Sequence, residues 1–459
     1  MNFKLSILAL AVSSALSTSA LAASTADVMQ NGNSNTANVS QESNSSAYTS
    51  VNQNGDSNTA TTSQAYSYDT TATSSQTGNA SAVTIDQIYG NATVANVTTA
   101  GNSNTASVSQ NNAWFVNATV NQAGDGNNAA VKQDGSFADY AQASITQVGN
   151  ANTGTINQSS TFQYTDTGGV TAAINQVNNA QGNNALINQT GESYRSVATI
   201  NQDGEAESNA TVNQTGPDQV ATVNQVGGWR NGAEINQSGS AQTATINQTG
   251  WTWFANARVD QAGSANQATV SQNMADNSIA NVNQNGTGNT ASVNQDGVFD
   301  YVAAYAYVNQ TGDMNNAGVN QLHAWYSTAT VNQNGIGNQA AVLQDNSSYS
   351  SATVNQSNAN NFASVAQSGS NNVSAVVNQN GSDTATVSQI ASSFSTATIN
   401  QTADFNTAAV NQNAALYSSA MITQSGGSLN NGTVNQSGEF NDATILQSGS
   451  NLTATINQS

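Results

Sequence analysis

The sequence of 459 residues holds no cysteine, one proline (Pro217), one histidine (His323) and five lysines and arginines in total. Each shortage removes a class of protein. Without cysteine no disulfide can staple the fold, and one histidine alone cannot build a His/Cys zinc or iron site. A serine nucleophile would have only His323 as its base. Nucleic-acid binding needs basic side chains to displace phosphate counterions, and after Lys4 only Lys132, Arg195, Arg230 and Arg258 remain. Charged residues make up 7 % of the chain, against about a quarter in an average soluble protein. Acids dominate them, so the formal net charge is −20. Long apolar runs are scarce too. No segment reaches the roughly 20 continuous apolar residues of a membrane-spanning helix, so no transmembrane segment is expected.

What is present is Asn, Gln, Ser, Thr, Ala, Gly and Val from end to end, without a shift that would mark a second domain. The first residues, MNFKLSILALAVSSALSTSALA, stand apart. Lys4 supplies a positive start, Leu5 to Val12 a short apolar run, and Ala20-Leu21-Ala22 a small-x-small cleavage signal. Residues 1–22 therefore read as a signal peptide, and 23–459 as one continuous array. Composition of this kind is compatible with disorder. The pattern argues for order.

Glutamine recurs on a fixed beat: Gln30, Gln41, Gln53, Gln64, Gln76 and Gln87 near the start, and Gln401, Gln412, Gln424, Gln436, Gln447 and Gln458 near the end. The spacing alternates between 11 and 12 over most of the chain, a period of about 23 residues, repeated roughly 18 times, which is a solenoid signature. The shorter half reads Q-x-G-x-x-N-x-A-x-V-x-Q, as in Gln30 to Gln41, Gln284 to Gln295 and Gln333 to Gln344. Gln447 to Gln458 is looser, with Leu452 in the Asn slot and Ile456 in the Val slot. The longer half lacks the fixed glycine and often carries aromatics, as in Gln321 to Gln333 with Trp325 and Tyr326.

Within a half, Asn35, Ala37, Val39 and Gln41 stand two apart and share one strand face; Thr36, Asn38 and Ser40 share the other. Each half is a strand of about seven residues, small and β-branched inside, polar outside. Gly32, Gly55, Gly286, Gly335 and Gly449 fall where a tight turn needs positive φ. One period is strand–turn–strand–turn, one rung of an all-β solenoid with cross-β, amyloid-like stacking. A lone rung cannot offset the entropy of ordering its backbone with a few buried Ala and Val side chains. Rungs stacked about 4.8 Å apart can, because each backbone amide then pairs with the next rung; roughly 18 rungs would span on the order of 85 Å. Stacking also sets Gln on Gln and Asn on Asn, so buried amides satisfy one another. The candidate ladder residues are Gln30, Asn35, Gln41, Gln284, Asn289, Gln295, Gln333, Asn338, Gln344, Gln447 and Gln458.

The half-repeat resembles the curlin repeat, the motif of the major and minor subunits of bacterial curli, and copies of it or its longer partner cover almost the whole of 23–459. The resemblance implies a secreted, extracellular amyloid fibre at the bacterial cell surface, serving adhesion and biofilm matrix. It implies that the inward Gln and Asn drive stacking, here Gln30, Asn35 and Gln41 in the first rung, and only Gln447 and Gln458 in the last. It also implies self-association head to tail, a nucleating minor subunit and an outer-membrane secretion channel. The chain departs from the family in having several times the usual number of repeats and in lacking a Gly-rich leader between Ala23 and Met29. Thr99 stands in a Gln slot, and the halves Gln158 to Gln176 and Gln295 to Gln310 are stretched.

An uncovered edge strand templates pairing with another chain. Both ends of the array read as uncapped, which predicts filament growth, and Ala at Gln447 and Gln458 is expected to slow it more than Ala in a middle rung. Asp56, Asp125, Asp134, Asp203, Glu205 and Asp313 fall in turns, where they read as solubility and a brake on aggregation. Tandem calcium-binding nonapeptides are absent. Trp251, Trp253, Phe254, Trp325 and Tyr326 read either as packing at a corner or as a sticky stripe, and His323 as a turn residue. A monomeric adhesin solenoid is the alternative. An ice-binding solenoid is a lesser one, motivated by pairs such as Thr328 and Thr330 and argued against by Ser107 and Asn38 in the same columns. No cofactor motif or base–nucleophile pair is visible, so the chain is not read as an enzyme.

Overall fold

The computed structural model describes residues 24–135, 140–159, 169–191, 193–298 and 302–459. The expected signal peptide lies outside them, as do 160–168 and 299–301 of the two stretched half-repeats. The fold is all-β, with 37 strands and no helix among the described residues, coiled as a β-solenoid of about 18 turns with roughly 23 residues per turn. No helix there is long and apolar enough to cross a membrane. The chain divides into two compact units, Met1–Arg230 with Asn236–Ser240, and Asn231–Ile235 with Ala241–Ser459.

The first unit begins with the strand Thr25–Asn31, turns, runs along Thr36–Glu42, turns again and continues as Tyr48–Asn54. Tyr48–Asn54 lies parallel on Thr25–Asn31, Thr25 opposite Tyr48 and Asn31 opposite Asn54. Thr36–Glu42 lies on Thr59–Ala65 in the same way. Each turn of the coil thus adds one strand to each of two parallel sheets. The second unit repeats the scheme: Asn256–Ser264 lies under Ile279–Thr287, which lies under Tyr305–Asp313, and Gln267–Ala275 lies under Thr290–Val298.

Alternation decides the faces. In Tyr48–Asn54 the residues Thr49, Val51 and Gln53 are buried and those between them are not. The inner faces of the two sheets meet in clusters such as Ala37, Val39, Val51 and Ala60, with Val28 packed against them. Alanine next to valine or isoleucine keeps this space narrow. Backbone ladders do the long-range work, since every strand in a parallel stack pairs on both sides except at the ends of a sheet.

Turns are of two kinds. Short arcs carry glycine at positive φ, and the glycine is required twice over. Gly335 has φ +142°, and a Cβ there would sit 1.7 Å from the Asn358 carbonyl oxygen of the next rung. Glycines at positive φ in the longer arcs, such as Gly250 and Gly297, face side chains (Asn273 and His323) rather than the backbone of the next rung. In the first unit, short arcs initially follow the strands stacked on Thr25–Asn31, with Gly32, Gly55, Gly78, Gly101, Gly124 and Gly149 one above another. Across residues 177–196 the pattern exchanges. Gln176, Gln189 and Gln202 are spaced 13 apart, and afterwards the short arc with Gly216 follows the strand Asn209–Thr215 of the other sheet.

Candidate functional site

The inward glutamines form amide ladders along the stack, interrupted at Thr99. Each Nε2 donates to the Oε1 of the equivalent Gln one turn later in the chain. Gln30 donates to Gln53 at 2.6 Å and Gln41 to Gln64 at 2.9 Å. Gln284 donates to Gln310, Gln295 to Gln321, Gln333 to Gln356 and Gln344 to Gln367, all at 2.8 Å. The second Nε2 hydrogen goes to the backbone across the core: Gln333 to the Asn316 carbonyl at 3.0 Å, Gln344 to Thr328 at 3.2 Å. Gln284, Gln295, Gln333 and Gln344 are fully buried; Gln30 and Gln41 are half-buried. Gln447 accepts from Gln424 at 2.7 Å and Gln458 from Gln436 at 2.9 Å, and their Nε2 groups bond the Asn431 and Asp442 carbonyls. A buried amide would be costly unpaired; here donor and acceptor are both used.

The inward asparagines clamp the short arcs. Asn35 donates to the Gly55 carbonyl at 2.7 Å and accepts the Asn58 N–H at 2.9 Å. Asn289 donates to Gly312 and accepts from the Asn315 N–H; Asn338 donates to Asn358 and accepts from the Asn361 N–H. Serine performs the same task in the longer arcs, where Ser347 and Ser370 donate to the Gln367 and Gln389 carbonyls.

Thr99 interrupts one ladder. The backbone register holds, Gln76 opposite Thr99 and Thr99 opposite Gln122. The side-chain ladder does not: Thr99 Oγ1 and Gln122 Oε1 are buried without a partner. The ladder resumes with Gln122 donating to Gln147 at 2.9 Å.

A second set of ladders, on the outer faces, was not anticipated from the sequence. Asn309, Asn332, Asn355, Asn378 and Asn400 are joined Nδ2 to Oδ1 at 2.8 Å each. Asn157, Asn188, Asn213 and Asn236 make another. The available signal was the recurrent Asn-Gln dipeptide, which places an amide on each face at the same height. An open groove of about 390 Å³ runs beside the first of these, lined by amide and hydroxyl side chains such as Asn334, Ser357 and Asn380, with no acid, base or histidine.

The turn acids have a structural part beyond solubility. Asp56 accepts the Asn33 N–H at 2.6 Å, and Asp313 the Thr287 N–H at 2.9 Å, each from the rung before. Glu205 departs from the solvated reading: it is 1 % exposed and accepts from Ser208 Oγ and the Gly228 N–H, both at 2.7 Å. Arg195, Arg230 and Arg258 pair with Asp218, Glu207, and Glu234 with Asp260. Trp251, Trp325 and Tyr326 are exposed, while Trp253 and Phe254 are half-buried. Tyr326 stacks on Tyr349, and Phe394 on Tyr417, both with ring centroids 5.0 Å apart. His323 sits in a turn at φ 48°. Among the described residues no group of three or more His, Cys, Asp or Glu could hold a metal ion.

A parallel β-solenoid with buried Gln ladders and Asn-clamped glycine arcs defines a class of repetitive, stacking protein. Within that class, residues 427–459 match the family described as the curlin associated repeat, and that stretch is similar to it. No curated protein matches the chain.

Proposed function

We propose that this chain is a secreted structural subunit that assembles head to tail into extracellular, curli-like amyloid fibres serving adhesion and biofilm matrix. The observation that supports this is the sameness of the rungs. Each rung offers Nε2 donors and backbone groups on one side and Oε1 acceptors and backbone groups on the other, in one register. A rung at an end of such a stack, wherever it falls, is complementary to the opposite end of another copy. A head-to-tail contact of this kind has no closing rotation and extends as a filament.

In this reading residues 1–22 are removed on export and 23–459 act as one array. The inward Gln and Asn, with the glycines of the short arcs, are the assembling residues. The protein works as material, not as a catalyst, in line with a family whose repeat is structural. A nucleating minor subunit and an outer-membrane channel are the partners the reading calls for.

The test is electron microscopy and fibre diffraction of the purified mature chain, incubated without a partner. Filaments with a meridional reflection near roughly 4.7–4.8 Å are the expected result. Particles that stay discrete at every concentration would overturn the reading and favour a monomeric adhesin solenoid. Replacing Gln333 and Gln344 together by Ala is expected to slow elongation.

A further inference from the structure

One inward slot of the short arcs in the second unit is filled by an acid. The column runs Asn289, Asn315, Asn338, Asn361, Asp383, Asn406 and Asn430. Along it each side-chain oxygen accepts the N–H of the next member. Asn361 Oδ1 takes the Asp383 N–H at 3.2 Å, Asp383 Oδ1 takes the Asn406 N–H at 2.9 Å, and Asn406 Oδ1 takes the Asn430 N–H at 3.0 Å. Asp383 therefore reproduces the accepting half of the clamp.

It cannot reproduce the donating half. Asn289, Asn315, Asn338 and Asn430 each donate Nδ2–H to a carbonyl of the following arc, at 2.7 to 3.0 Å. An ionised carboxyl has no hydrogen to give. Asp383 is 1 % exposed, and its Oδ2 is buried with no partner. In the following arc the carbonyl of Ala403, two residues past its Gln like Gly312 and Gly335, takes the Asn406 side-chain amide instead.

The arc is also the tightest. Gln379 and Gln389 are 10 residues apart, one fewer than in the other short halves. A Cβ on Gly381 would lie 2.7 Å from Asp404 Oδ1 and 3.1 Å from Asp383 Oδ2, so the two carboxyls crowd the same point. Asp404, on the following arc, is the charged group that faces Asp383. The preceding arc contributes Ser357 to Asn361, and the core behind it Gln379, Gln389 and Gln401, none of them ionisable.

We propose that Asp383 makes the arc between Ser374–Asn380 and Thr384–Ile390 a pH-operated seam, closed when its carboxyl is protonated and loosened when it is ionised. A protonated Oδ2 is a donor, which restores the missing half of the clamp and removes repulsion from Asp404. Burial, reinforced by Asp404 and opposed by the Asn406 N–H, pushes the Asp383 carboxyl up from 3.8 to about 6. The folded value lies above the unfolded one. The seam is therefore at full strength below about pH 4, weakens as pH rises through about 6, and stays weak above that.

Hydrogen exchange read by mass spectrometry on the purified full chain tests this, following the Asn406 amide segment at pH 4 and pH 7.5 after correction for intrinsic rates. The opening equilibrium of that segment is expected to rise roughly fiftyfold between the two in the wild type. The segments holding Asn315 and Asn338 serve as internal controls and should show no such step. Asp383→Asn should be protected at both pH values. A wild-type profile that matches Asp383→Asn, or one better protected at pH 7.5, would overturn the proposal. Asp404→Asn, an exposed change that leaves the clamp untouched, should move the transition to lower pH; an unmoved transition also counts against it. The readout is local opening, so it stands whether or not the chain forms fibres.

Discussion

Two stretches follow the same repeat with different fidelity. Between Thr49 and Gln122 the core slots hold Thr49, Thr62, Ser74 and Thr99 among the usual Ala, Val and Gln, and Ser74 Oγ, Thr99 Oγ1 and Gln122 Oε1 are buried without partners. Between Gln261 and Gln447 one ladder passes unbroken through Gln284, Gln310, Gln333, Gln356, Gln379, Gln401 and Gln424. Yet the strand register is as regular around Thr99 as around Gln333. Register is therefore held by the backbone ladder and the glycine arcs. The glutamines add energy and direction to a register already set.

That division of labour can be broken at the arcs first. Gly335→Ala should be the most damaging single change, because the new methyl meets the Asn358 carbonyl oxygen at 1.7 Å where no flexible side chain can yield. A loss of more than about 3 kcal/mol is expected in guanidinium denaturation of the unassembled chain. Gly126→Ala, at φ +67° with open space around it, should lose only about 1 kcal/mol. Next comes the intact ladder. Gln333→Ala leaves Gln310 Nε2 and Gln356 Oε1 without their partner and opens a small void, so a loss of about 2–4 kcal/mol is expected by the same measurement.

The defective stretch sharpens the contrast in the opposite sense. Thr99→Gln should accept from Gln76 and donate to Gln122, joining the two halves of that ladder. A gain of about 1–2 kcal/mol is expected, together with stronger hydrogen-exchange protection of the strand Val94–Ala100. A loss would mean that the interior has closed around the smaller side chain. The smallest effect belongs to the edge. Asn372 lies between the stacked pairs Tyr326–Tyr349 and Phe394–Tyr417, at the same positive φ as its neighbours. Asn372→Tyr should add two stacking contacts against the strain of a bulky residue there, a net gain of about 0.5 kcal/mol in thermal unfolding.

Much of this was legible in the sequence because the period is short and the slots are strict. The Gln beat gave the rung, the alternation gave the inner face, and Thr99 was visible as the missing amide. The outer Asn ladders were not read, although the Asn-Gln dipeptide carried them. A polar residue on a solvent face is unremarkable until its neighbours one turn away are known to be identical. The exchange of short and long arcs at 177–196 was written in the two spacings of 13, but an arc's path depends on what it stacks upon. Glu205 and Asp383 escaped for the same reason. A turn acid looks solvated until the next arc is laid over it.

Wherever Gln stacks on Gln, the lower-numbered residue gives its Nε2 hydrogen to the Oε1 of the higher-numbered one. The side-chain dipoles therefore all point one way, and hydrogen-bonded chains of this kind polarise their own members. Two copies brought together like end to like end would oppose carbonyl to carbonyl or amide to amide, with parallel backbone pairing lost as well. In the proposed head-to-tail assembly, orientation errors would be rejected at each joint by the chemistry of one residue type, with no dedicated surface needed to check them.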